Sequence, residues 1–259
     1  MTNILEEIAA HKRSEVARLK TELTLSEMEG KLETNDRLNF RAAIVGSDRV
    51  NIIAELKKAS PSKGVLIENF DVEKIASSYH AGGAAALSVL ADQKYFQGSP
   101  EFIATAKAVS GLPILYKEFI VDEFQIPYAR FKKADAILLI VSILKAAEIK
   151  SMIKLAGNCG LDVIVEVHDS DEAKIAIDCG ANIIGVNNRN LKDFSVSLKT
   201  SETISVIIPD NIIKIAESGI YAPADITRLR EFGYSCFLIG EALIKSADPV
   251  KLLRSLKSA

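Results

Sequence analysis

The chain has 259 residues, 48% of them hydrophobic and 25% charged, with a formal net charge of −2. That is ample for a well-buried core, and the near-balanced charge, with no extended basic stripe, argues against a nucleic-acid partner. Cys159, Cys179 and Cys236 are an odd number without CxxC spacing, which argues against a disulfide framework or a structural zinc site and fits a reducing compartment.

In chain order, Met1-Thr-Asn-Ile-Leu-Glu-Glu-Ile reads as the start of an amphipathic helix rich in acidic residues. It lacks the basic segment and apolar run of a signal peptide. Helical stretches are expected from Ile4 to Leu19 and from Leu38 to Ile44. Short apolar runs then recur at Asn51–Ala54, Ala85–Leu90, Leu112–Tyr116, Ala136–Ile140, Asp162–Val167, Ile183–Val186, Asn211–Ala216 and Cys236–Ile239. Such nearly continuous apolar strands are typical of a parallel sheet covered by helices. The longest apolar run, Ala136 to Leu144, is far too short to span a bilayer, so a soluble protein is expected. Helices fall between the strands. Asp71–Gly83 starts on an N-capping Asp and ends on glycines, Ser170–Gly180 has acids in its first turn, and Ala222–Gly233 again closes on Gly. Eight β–α units spaced by roughly 20 to 35 residues suit a closed (β/α)₈ TIM barrel. A doubly wound sheet is the alternative, but no GxGxxG or GxxxxGK[ST] follows the first strand. The expected fold is therefore one barrel domain over residues 1–259, with 1–48 as an N-terminal helical extension.

Catalytic groups of such barrels sit at the C-terminal ends of the strands. Glu55 and Lys57 end the first strand two residues apart, so they share a face. They are either an ion pair filling the mouth or a carboxylate and an ammonium aimed at a ligand. In the turn that follows, the Ser60 hydroxyl can donate to a ligand. Lys117 ends the third strand and would serve as general acid or Schiff-base former if its surroundings lower its pKa; the plain alternative is a surface lysine. Glu166 ends the fifth strand and would meet Lys117 and Glu55. His168 is a candidate proton carrier, although a lone His at a strand–helix junction is more often a capping or packing residue. Asn187, ending the sixth strand, suits the orientation of hydroxyls, although an Asn-rich turn alone would explain it. Glu217-Ser218-Gly219 and Gly240-Glu241 end the last two strands. The backbone N–H groups of Gly219, Gly240 and Glu241 form the expected phosphate site.

The segments IIAELKKASPSKG, ALSVLADQKYFQGS, ILYKEFIVDEFQI, EVHD, IGVNNRNL, AESGI and FLIGEAL, in this order, resemble the indole-3-glycerol phosphate synthase family over essentially the whole chain. The resemblance implies ring closure of 1-(2-carboxyphenylamino)-1-deoxyribulose 5-phosphate to indole-3-glycerol phosphate, with loss of CO₂ and water and with neither metal nor organic cofactor. It implies that Lys117 protonates the substrate carbonyl and that Lys57 holds the anthranilate carboxylate or acts as acid in the dehydration. Glu166 would exchange protons during dehydration, while Glu55 would hold the hydroxyls or anilino nitrogen and share in proton transfer. Asn187 and Ser218, with Glu217, would orient the ribulose hydroxyls and the lysine network. Phe96 and Phe119 would pack on the anthranilate ring, and Arg189 joins Ser60 among the substrate-binding residues.

Three positions depart from the family pattern. Glu118 stands where Asp is commoner, Lys58 where Arg is frequent, and Glu241 where many members have Ser, placing a carboxylate that would repel phosphate unless it points away. A cytoplasmic enzyme of tryptophan biosynthesis is expected, its partners being the phosphorylated substrate and other enzymes of that route, without nucleic acid or membrane. The rival readings are another phosphate-binding barrel, such as phosphoribosylanthranilate isomerase, and a non-catalytic phosphate-ligand barrel. The isomerase uses a Cys–Asp pair, whereas Lys57, Lys117 and Glu166 hold the mouth here, and mere binding requires no such acid/base set.

Overall fold

A computed structural model describes residues 4–29, 36–46, 49–191 and 193–259; the parts of the N-terminal reading that fall on residues 1–3, 30–35 and 47–48 lie outside them. Eight parallel strands close on themselves: β1 (Asn51–Leu56), β2 (Ala86–Leu90), β3 (Ile114–Lys117), β4 (Ala136–Ile140), β5 (Asp162–Val167), β6 (Ile183–Asn187), β7 (Ile213–Glu217) and β8 (Cys236–Ile239). Each strand pairs with the next in sequence, and β1 pairs with both β2 and β8.

Among the described residues, three α-helices precede β1: α1 (Ile4–Glu22), α2 (Leu25–Glu29) and α3 (Phe40–Ile44). The connections carry α4 (Val72–Ala81), α5 (Glu101–Ser110), α6 (Gln125–Phe131), α7 (Ala146–Asn158), α8 (Ser170–Asp178), α9 (Lys199–Ser205) and α10 (Pro223–Arg230); α11 (Glu241–Ile244) and α12 (Pro249–Lys257) follow β8. Asp71 caps α4 by accepting the Lys74 N–H at 3.1 Å. Gly83, in the left-handed region at φ 84°, turns the chain toward β2.

Strand alternation produces two cores. Ile53, Leu115, Leu138, Ile164, Ile215 and Leu238 belong to the barrel interior, whereas Ile52, Val89, Ile137, Val165, Val186 and Phe237 pack outward under the helices. Phe40 and Ile44 of α3 are fully buried members of the interior cluster. The backbone N–H of Arg41 reaches the Asp162 carboxylate at the start of β5 at 2.9 Å, and that of Leu38 reaches Asp135 at 2.7 Å. α3 therefore plugs the N-terminal end of the barrel. Among the described residues, no helix is long and apolar enough to cross a membrane.

The strand boundaries differ from expectation in instructive ways. β1 continues past Ala54 through Leu56, so Glu55 lies within the ladder, opposite Ser88. The third and seventh strands begin at Ile114 and Ile213, two residues later than expected, and end on the charged Lys117 and Glu217. Apolar composition marks the hidden part of a strand, and here the ladder runs on into the polar mouth. The first helix extends to Glu22 rather than Leu19, and α2 was not anticipated.

α1 lies against the opposite end of the barrel from α3. Its Lys12 ammonium is buried and contacts Asp92 after β2 and Glu118 after β3, each at 3.0 Å, and Glu15 at 2.8 Å. Burial opposes the charge, but Glu118, Asp92 and Glu15 outweigh it and hold the ammonium above the ordinary lysine range. Asp92 also accepts the Tyr95 and Phe96 N–H groups, and Glu118 accepts the Phe119 N–H. One lysine thus ties two loops to α1. Lys12→Met should leave two buried carboxylates without their cation and lower unfolding stability by roughly 3–5 kcal/mol, measured by urea denaturation; a loss below about 1 kcal/mol would show that the cluster contributes no net pairing energy.

Candidate active site

Inward alternation carries the polar residues at the strand ends into one cavity of about 150 Å³ at the C-terminal mouth. Glu55, Lys57, Phe96, Lys117, Phe119, Glu166, Asn187, Arg189, Glu217, Ser218, Gly219, Gly240 and Glu241 all line it. Ser60 lies instead in an adjoining cavity of about 110 Å³, with Ile4, Leu5 and Ile8 of α1 on its wall. Leu138, Ile140 and Leu238 supply an apolar floor.

Lys117 is the hub. Its ammonium donates to Glu166 Oε2 at 2.8 Å and to Glu217 Oε2 at 2.9 Å. Burial works against the lysine charge, yet Glu166, Glu217 and Glu55 outweigh it and raise the pKa. The conditional expectation of a lowered pKa is therefore corrected. Lys117 is held as an ammonium between the two carboxylates. Across the mouth, Lys57 pairs with Glu55, and the Ser88 hydroxyl reaches Glu55 at 3.5 Å.

Glu166 accepts two donors, Lys117 on Oε2 and Asn187 Nδ2 on Oε1 at 3.1 Å, and His168 Nε2 makes an ion-pair contact with Oε1 at 3.2 Å. Burial alone would raise its pKa, but Lys117 and His168 prevail and hold it well below the usual carboxylate range. Glu217 behaves in the opposite way. Burial pushes it up to about 7 against the pull of Lys117, helped by repulsion from Glu166 and Glu55. Its Oε1 has no hydrogen-bond partner among the described residues. Two carboxylates on one lysine are thus pushed apart in proton affinity, a pattern that separates acid from base.

Two glycines make room for these acids. A Cβ at Gly185 would fall 2.2 Å from Glu217 Oε1, and one at Gly240 would fall 2.4 Å from Glu55 Oε1. Gly240 therefore houses a carboxylate, in addition to its expected place at the phosphate end. The loop after β7 is held in an uncommon conformation, with Ser218 at φ 65° and Gly219 at φ 78°. Asn188 fixes it: its side chain donates to the Ser218 carbonyl at 3.1 Å and accepts from the Ser201 hydroxyl and backbone N–H.

The Glu241 carboxylate is neutralised by Lys63 and by Lys245 at 3.0 Å, with Arg189 at 3.7 Å. Burial is offset by these cations, and its pKa is lowered. Phe96 and Phe119 have ring centroids 6.0 Å apart, a mutual contact. They form one continuous wall, not two faces of a sandwich.

His168 sits beside the start of α8, its backbone N–H donating to Glu172 at 2.8 Å. Asp169 caps α8, accepting the Asp171 and Glu172 N–H groups at 2.9 Å, while the His168 imidazole sits between Glu166 and Glu172. Ser88, Gly185, Asn188 and Lys12 were also missed. Ser88 and Gly185 left a signal, being a hydroxyl and a glycine at inward positions of apolar strands; Asn188 and Lys12 acquire meaning only through contacts distant in sequence.

Comparison with known proteins gives a concordant picture. The family model described as indole-3-glycerol phosphate synthase matches residues 5–256. The chain is 42% identical over 261 residues to the "Indole-3-glycerol phosphate synthase" of Aromatoleum aromaticum, covering 99% of both. It is 46% identical to that of Chlorobium luteolum, covering 94% of both. Among solved structures, 3-hexulose-6-phosphate synthase matches with a TM-score of 0.62 at 13% identity, over 81% of this chain and 99% of that one. Thiamine phosphate pyrophosphorylase from Pyrococcus furiosus matches at 0.58 and 16% identity, over 80% and 93%. At such identities the structural matches speak for the fold alone.

Burial also pushes Glu118 up to about 7, partly opposed by Lys12. Carboxyl carbon NMR should therefore reveal two glutamates titrating near 7, one lost in Glu217→Gln and the other in Glu118→Gln. Both pKa values lie above the ordinary glutamate value of 4.5. Between that value and about 7, the folded state keeps protons that the unfolded chain has released, so the stabilisation from these groups falls as pH rises through the window. If every carboxyl titrates below about 5, this electrostatic picture of the mouth is wrong.

Proposed function

The chain belongs to the indole-3-glycerol phosphate synthase family and carries its activity in tryptophan biosynthesis, and we propose that the groups converging on Lys117 carry out the ring closure, decarboxylation and dehydration. The reaction converts 1-(2-carboxyphenylamino)-1-deoxyribulose 5-phosphate to indole-3-glycerol phosphate, CO₂ and water. The observation that carries the assignment is the buried Lys117 ammonium shared by two carboxylates of opposite proton affinity.

Lys117 delivers a proton to the substrate carbonyl as the aromatic carbon attacks. Its raised pKa makes it a stable store of that proton, and transfer becomes favourable as the oxygen gains negative charge in the transition state. Lys57 leaves Glu55 to hold the anthranilate carboxylate, which places the attacking carbon and draws the carboxylate toward departure. Glu55, thereby released, holds the anilino nitrogen or a hydroxyl and shares in proton transfer. Glu166 is ionised at rest and serves as the proton acceptor and donor of the dehydration step.

Asn187, Ser218 and Glu217 orient the ribulose hydroxyls, while Ser60 and Arg189 close the polar side. The Phe96–Phe119 wall packs on one face of the anthranilate ring, an apolar surface suited to an aromatic ligand. Backbone N–H groups of Gly219, Gly240 and Glu241 receive the phosphate. Lys63, Lys245 and Arg189 surround the Glu241 carboxylate, and their charges support a dianion beside it. We place the enzyme in the cytoplasm beside other enzymes of the route, in keeping with a small phosphorylated metabolite as substrate.

The test is formation of indole-3-glycerol phosphate from the anilino-deoxyribulose phosphate by the purified chain, followed by product fluorescence. Lys117→Ala should reduce kcat by about 10²–10⁴-fold while the variant remains folded. Absence of turnover by the parent, or full turnover by Lys117→Ala, contradicts the proposal.

A further inference from the structure

The proton balance of the reaction makes a demand that Lys117 and Glu166 cannot meet alone. The substrate carboxylate departs as neutral CO₂, leaving its bonding electron pair on the ring. The carbonyl oxygen departs as water and so collects two protons. The carbon beside the nitrogen releases only one. Each turnover therefore takes up one proton, at a site whose lysine and carboxylates are already buried before substrate fills the mouth.

A third acid stands behind Glu166. His168 Nε2 lies 3.2 Å from Glu166 Oε1, and Nδ1 lies 3.0 Å from Glu172 Oε2. The same Glu172 oxygen accepts the His168 backbone N–H at 2.8 Å, which locks the imidazole against rotation. Every contact of the ring nitrogens is thus with a carboxylate, and neither nitrogen faces the substrate cavity. The remaining charged groups around Glu166 are Lys117 from β3, with Glu217 of β7 and Glu55 of β1 acting through that lysine.

We propose that His168 is the proton store of this active site, acting through Glu166 to supply the one proton consumed in each turnover. The role rests on the assignment of Lys117 and Glu166 given above. Lys117 gives the first proton to the carbonyl oxygen. His168 passes its Nε2 proton to Glu166 Oε1, and Glu166 gives a proton to the departing hydroxyl, which leaves as water. Glu166, again ionised, takes the proton from the carbon beside the nitrogen and returns one through Oε2 to Lys117, 2.8 Å away. Lys117 and Glu166 end as they began, and the single missing proton is on His168 Nε2. Solvent refills it once product has left.

Burial opposes a charge on His168, but the Glu166 and Glu172 carboxylates on either side of the ring raise its pKa to about 10, so the store is full at neutral pH. Glu172 keeps Nδ1–H in place throughout and is the positioning residue for the imidazole.

Stopped-flow measurement of a single turnover, with product fluorescence and a pH-indicator dye recorded together in weak buffer, separates the alternatives. The parent enzyme should form product before it takes up a proton from solvent. His168→Gln keeps an amide donor near Glu166 but has no transferable proton; its kcat should fall by about 10²-fold with KM little changed, its proton uptake should coincide with product formation, and added imidazole should restore part of the rate. Glu172→Gln, which leaves the imidazole in place, should lose the lag at a lower pH than the parent. The proposal is overturned if the parent takes up its proton in step with product, or if His168→Gln keeps kcat within about twofold of the parent. Full turnover by Lys117→Ala would instead overturn the underlying assignment, whatever the His168 result.

Discussion

Two carboxylates that repel one another share a single buried ammonium at the centre of the barrel mouth. Neither Glu166 nor Glu217 is exposed enough to shed its charge into water, and an unpaired carboxylate in such a site costs several kcal/mol. Lys117 resolves this by bridging β5 and β7 from β3. The attraction fixes three side chains, while burial prevails at Glu217 and raises its pKa, and the Lys117 and His168 charges prevail over burial at Glu166 and lower its pKa. Structure and chemistry at the mouth have the same electrostatic origin.

The rest of the barrel accommodates that arrangement. Gly185 and Gly240 occupy inward positions where a methyl group would strike a glutamate oxygen, so the layer of charge is packed as closely as the apolar layers beneath it. Phe40 and Ile44 seal the N-terminal end with α3, while Lys12 of α1 reaches the loops that carry Phe96 and Phe119 at the other. The helices before β1 therefore touch both ends of the barrel. Among them, α2 contributes Met28, which packs with Val16 and Phe124 on the flank.

Much of this was legible from residue pattern, and the reasons are specific. Apolar runs gave eight strands because a parallel sheet under helices hides both faces, and charged residues ending those runs pointed to the mouth because barrel strands all end on one rim. The apolar runs overstated the starts of the third and seventh strands at Leu112 and Asn211, because hydrophobic composition continues into the approach to a strand before the ladder begins at Ile114 and Ile213. The sign of the Lys117 shift was out of reach for a different reason: it depends on Glu166 and Glu217, residues 49 and 100 positions away. His168 was read from its place beside a helix start, where capping is common, although Asp169 next to it takes that role. Local grammar located the elements, whereas the charge state of the site is a property of the closed barrel.

Neutron diffraction from crystals of the deuterium-exchanged free protein at neutral pH tests the central claim most directly, because it locates protons instead of inferring them from heavy atoms. The account predicts an ammonium at Lys117, an ionised Glu166 carrying no deuteron on either oxygen, and deuterons on both ring nitrogens of His168. A neutral Lys117 amine facing a deuterated Glu166 would contradict it.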